Sequence, residues 1–88
     1  MSDDVKIAKT ACEAAEYMLA KLEYDIATSP PKKMRGVFER YWNFLSPAVR
    51  ERDDAYDADP NTAAGPYWLQ FAALQYDMKA KVLAIKPA

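Results

Sequence analysis

The sequence contains no histidine and a single cysteine, Cys12. The first absence removes the commonest general base at neutral pH, the commonest zinc ligand and every histidine-based triad. The second leaves Cys12 no partner for an intrachain disulfide and no thiol cluster for a metal. Acid–base work would fall to carboxylates, lysines or tyrosines, which act near pH 7 only after strong pKa tuning. The expectation is a protein that is not an enzyme and carries no cofactor or metal. Long apolar runs are missing as well: the longest span four or five residues, such as Phe71-Ala72-Ala73-Leu74. A membrane-spanning helix needs about 20, so no membrane insertion is expected. The N-terminal stretch MSDDVKIAKTACEAAE is charged and lacks the basic-then-apolar order of a secretory leader. A cytoplasmic location is the corresponding expectation.

What the chain does have is a globular balance. Of its 88 residues 51% are hydrophobic and 28% charged, enough for one small core, so residues 1–88 are expected to form one helical domain. No stretch alternates with period two, which excludes a predicted sheet. The spacing predicts an all-α, compact four-helix bundle-like fold with helices over about 3–27, 31–45, 47–57 and 66–86.

In the first helix Val5, Ala8, Cys12, Ala15, Leu19, Leu22 and Ile26 recur at alternating spacings of three and four. That is an apolar seam, widened by Ala11 and Met18. Ser2 is its expected N-cap, and Asp3 and Asp4 place negative charge at the positive end of the helix dipole. Thr28-Ser29-Pro30-Pro31 then stops one helix and starts another, with Ser29 expected to cap and Pro30 at the first helical position. Met34, Val37, Phe38, Tyr41, Trp42 and Leu45 supply a bulky second apolar face, with Gly36 on the polar side. Ser46-Pro47 repeats the start signal for a weakly apolar third helix. Asp59-Pro60-Asn61-Thr62 reads as a turn, and Gly65-Pro66 opens the last helix. That helix is apolar on two sides. Tyr67, Phe71, Leu74, Met78, Val82 and Ile85 line one, and Leu69, Ala72, Ala73, Tyr76, Ala80 and Leu83 the other, so it is either central to the bundle or offered to a partner.

Charge is segregated along the chain. Residues 30–50 hold five basic residues against one acidic, and residues 51–65 five acidic against one basic, within an overall charge of −1. Lys32, Lys33, Arg35 and Arg40 give the second helix a basic side. With the Ser-Pro turn and Arg50 and Arg52 beyond it, this suggests a helix-turn-helix. The candidate reading helix also carries Glu51, Asp53 and Asp54, which phosphates would repel, so nucleic-acid binding is the less favoured reading. In the acidic stretch, Asp57, Asp59 and Asn61 match the first three ligand positions of a calcium loop. The pattern fails where the turn glycine is replaced by Thr62 and the bidentate glutamate by Trp68. A solvated acidic patch from Glu51 to Asp59 is expected instead.

Most of the aromatic residues fall at core positions by their helical spacing. Tyr17 and Tyr24 do not: they stand seven residues apart on the first helix, opposite its seam, as tyrosines at a contact surface would. Cys12, among alanines, is expected to be a small buried apolar residue.

The segment Ala11-Cys12-Glu13-Ala14-Ala15-Glu16 resembles the start of the first helix in a family of small phage inhibitors of type I CRISPR surveillance complexes. The resemblance covers six residues, and no binding residue is carried over from it; the rest of the chain departs from that family, being neither strongly acidic nor strand-forming. It implies an inhibitor of the kind that phages and mobile elements direct against host defence. The sequence leads to a protein–protein interaction module, an inhibitor or adaptor, with a protein partner met through Tyr17, Tyr24, the basic side and the acidic patch. The alternatives are a nucleic-acid-binding accessory protein using the basic helix, and a homo-oligomer formed through Leu69, Tyr76 and Leu83 of the last helix.

Overall fold

The computed structural model describes residues 2–51 and 58–87. Four α-helices follow in order: α1 (Ser2–Thr28), α2 (Met34–Phe44), α3 (Pro47–Glu51) and α4 (Gly65–Ala84), with a single 3₁₀ turn at Pro31–Lys33 leading into α2. No strand occurs among the described residues. The fold is all-α, as the periodicity requires.

The caps follow local chemistry, with two departures from expectation. Ser2 is the first residue of α1 rather than the residue before it. At the next junction the Ser29 amide bonds the Asp25 carbonyl and prolongs α1. Pro30, in extended conformation, precedes the 3₁₀ turn and Pro31 begins it; no side chain caps the turn. The second proline shifts the start by one residue, because the ring of Pro31 disfavours helical backbone at the residue before it and leaves Pro30 extended. At the third helix the Ser46 hydroxyl does cap, accepting from the Val49 amide at 3.3 Å. The expected extent of α3 beyond Glu51 lies outside the described residues.

The order of contacts between helices fixes the topology. Cys12 meets Tyr67, Glu16 meets Gln70 and Glu23 meets Lys81, so partners advance together along both helices. α1 and α4 are therefore parallel, and theirs is the most extensive interface among the described elements. α2 runs back along α1, with Tyr41 and Arg40 beside Asp25. The core gathers Leu22 from α1, Val37, Tyr41 and Leu45 from α2 and its end, Val49 from α3, and Met78 and Val82 from α4. Those of α1, α2 and its end, and α4 fall on the apolar faces given by the 3.6-residue period.

The molecule is more extended than a compact bundle. Its principal extents are 47 × 23 × 15 Å and its radius of gyration is 14.3 Å, against about 12 Å for a compact chain of this length. The cause is unequal helix length: α1, of 27 residues, sets the long axis at about 40 Å. The short α2 and α3 cover only part of the α1–α4 pair.

The entry to α4 depends on a close approach of backbone to backbone. Asp59 organises the preceding turn: its carboxylate accepts from the Asn61 amide at 2.9 Å, and its carbonyl accepts from the Thr62 hydroxyl at 2.9 Å. The Thr62 Oγ1 in turn accepts from the Gly65 amide at 2.9 Å. A side chain at Gly65 would overlap the Asp59 carbonyl oxygen, so this position admits only glycine without displacement of the turn.

Candidate functional site

The outer side of α1 is set by the same periodicity that builds its inner seam. Ala8, Cys12, Ala15 and Leu22 are buried against the other helices. Tyr17 and Tyr24, about half a turn away, are 68% and 67% exposed. Lys21 lies between them on the same exposed face. An exposed tyrosine presents a rigid apolar ring and a polar tip at small entropic cost, which suits it to a contact surface.

The basic residues expected on α2 divide into two groups. Arg35 is drawn into an i, i+4 pair with Glu39 at 3.8 Å, both well exposed. Lys32, Lys33 and Arg40 instead line a concavity of about 350 Å³ between the end of α1 and the start of α2, together with Asp25, Ser29, Gly36 and Val37. On its wall Asp25 accepts a hydrogen bond from the Tyr41 hydroxyl and lies 3.8 Å from Arg40 Nη1. Burial, and then the Asp25 carboxylate, push the Tyr41 phenol up to about 12 from its ordinary value near 10. Asp25 is thus engaged across the helix interface.

The acidic stretch is only partly described. Glu51 is exposed at the end of α3, and Asp59 is exposed but committed to the turn before α4. Asp53, Asp54 and Asp57 lie outside the described residues. Among the described residues no group of three or more acidic or thiol side chains is arranged to hold a metal ion. On the second apolar side of α4, Ala72 is buried and Tyr76 packs against the core. Leu69 is half-buried, and Leu83 is the large residue left exposed there. That side is thus partly used within the molecule, and the two-sided pattern reflects a helix in contact with α1, α2 and α3.

Two exposed hydrophobic residues escaped the sequence reading. Phe44 is 60% exposed. It overhangs an apolar groove lined by Ala11, Ala14, Met18, Phe71 and Met78, where α2 ends and uncovers part of the α1–α4 pair. Ile7 stands exposed beside a second hollow near Trp68 and Ala64. Phe44 falls one position off the apolar stripe of α2, which is the signal that could have marked it. Cys12 is buried as expected; its Sγ donates to the Tyr67 carbonyl at 2.9 Å. Burial, then Glu16, raise its thiol pKa, with the Phe71 amide opposing, so the thiol is held protonated and unreactive.

Among the described residues no helix is long and apolar enough to cross a membrane. Comparison of the chain with known protein families, with curated proteins and with solved structures finds no match in any of the three.

Proposed function

We propose that this chain acts without catalysis, in the cytoplasm, by binding another protein as a small inhibitor or adaptor. The observation that carries this reading is the tyrosine pair on α1. Two large side chains, one heptad apart on the longest helix, stand about two-thirds exposed to solvent while the opposite face of that helix is packed. Lys21 between them fits a partner that offers an apolar cleft beside acidic groups, since a lysine among rings favours a carboxylate opposite it. The missing histidine and the inert thiol support a role in binding rather than in chemistry.

Site-specific photo-crosslinking tests the proposal. A benzophenone amino acid is placed at position 17, at position 24, or at the exposed Asp77 on α4, and the full chain is expressed in its native host. One discrete protein adduct from positions 17 and 24, absent from position 77, is expected. No adduct, or the same labelling from all three positions, would overturn the reading.

A further inference from the structure

The concavity between α1 and α2 has a composition that packing does not explain. Gly36 lies inside α2, where glycine is destabilising relative to alanine. No neighbour requires it: a methyl group added there would meet nothing within 4 Å. Its φ is not positive either. The missing side chain leaves bare helix backbone on the wall of the concavity. Lys32 and Lys33, both exposed, make no ion pair among the described residues. Arg40 reaches Asp25 only at 3.8 Å, and its side chain is more than half exposed. Three cations and one carboxylate line the hollow, and that carboxylate is already engaged by Tyr41 and Arg40. The local charge is about +2.

From this juxtaposition we infer that the concavity is a binding site for a single phosphate group, free or carried as a monoester. A phosphate dianion matches the charge of the lining. Lysine and arginine supply the donors, and the bare backbone at Gly36 permits close approach. The shape argues against a nucleic-acid backbone. The basic residues converge on one bounded hollow rather than tracking along a stripe, and Arg35, which would extend them, does not line it. The site is independent of the tyrosine face, so either can fail alone.

The test is a titration of isotope-labelled full chain with inorganic phosphate at low ionic strength, followed by amide NMR. Gly36 and Gly65 are the two glycines of the chain, and Gly65 serves as an internal control. Saturating shifts at Gly36 but not at Gly65 are expected. The double variant Lys32→Glu, Lys33→Glu, checked for an unchanged melting temperature, should weaken binding by at least about tenfold. Gly36→Ala should raise the melting temperature by a few degrees and yet weaken binding, a combination that a purely structural glycine would not show. O-Phosphoserine distinguishes the sources: tighter binding than inorganic phosphate marks a monoester, weaker binding the free anion. Non-saturating shifts, or equal binding by the lysine double variant, would overturn the inference. So would tighter binding of a single-stranded oligonucleotide without terminal phosphate, with a steep salt dependence.

Discussion

The Tyr41 hydroxyl, on a side chain with no solvent exposure, donates its hydrogen to the Asp25 carboxylate and so ties α2 to the last turns of α1. Removal of the hydroxyl leaves that carboxylate with only the distant Arg40 as a partner. Tyr41→Phe is expected to lower stability by about 2 kcal/mol, the typical value of a hydrogen bond to a charged group. Urea denaturation with circular dichroism measures it, and a loss below half that value would mean that water replaces the phenol at little cost.

The same bond predicts an alkaline response. The Tyr41 pKa is raised from 10 to about 12 in the folded chain. The folded state therefore keeps a proton that the unfolded state loses above pH 10, and the stability from this group is fully present below pH 10. It declines as pH rises toward 12, by an amount on the order of 2 kcal/mol. Urea midpoints taken at pH 9 and at pH 11 should fall more in the native sequence than in Tyr41→Phe. Equal slopes in the two proteins would contradict the shift.

Gly65→Ala should destabilise by about 2 kcal/mol or more, because the new methyl group overlaps the Asp59 carbonyl oxygen and the turn must move. Thr62→Ala, which removes a methyl group and the hydroxyl that accepts from the Gly65 amide and donates to the Asp59 carbonyl, should lose about 1 kcal/mol. Measured side by side by chemical denaturation, the glycine variant should be the weaker of the two; the reverse order would show that the turn relaxes freely.

Cys12 offers a chemical probe of the core. Its thiol is buried and held protonated, so alkylation of the native chain at pH 8 should run about 100-fold or more slower than in urea. Comparable rates in the two states would place Cys12 at the surface.

In solution the chain is expected to be a monomer of 10.0 kDa across a concentration series. The outer stripe of α4 is Ala73, Ala80 and Leu83. Two alanines and one leucine fall well short of the roughly 800 Å² per partner of a stable interface. Light scattering decides the matter, and a dimer that Leu83→Glu dissociates would reverse the assignment.

The helix faces were legible in the sequence because burial against neighbours imposes a 3.6-residue period that needs no knowledge of topology. Ala8, Cys12, Ala15 and Leu22, and Val37, Tyr41 and Leu45, are buried where that period puts them. The Ser46 cap was legible for a similar reason, as it involves residues three apart. What depends on distant residues was not. The parallel pairing of α1 with α4 and the Asp25–Tyr41 bond join residues 55 and 16 positions apart, and the hollow between α1 and α2 depends on how the two helices meet at their junction. The end of α2 was expected within a residue of where it falls, but periodicity does not say which neighbours a helix end leaves uncovered, so it could not foresee Phe44 overhanging an open groove. The exposed tyrosines were readable as exposed; their use is a matter of partner chemistry, which the chain does not encode in its own spacing.

Because α1 and α4 point the same way, the start of α1 and the end of α4 lie at opposite ends of the long axis. A pull applied between the two ends of the chain would act along the helix pair and load its whole interface in shear, so that its contacts give way together. An antiparallel hairpin of the same helices would peel open one contact at a time.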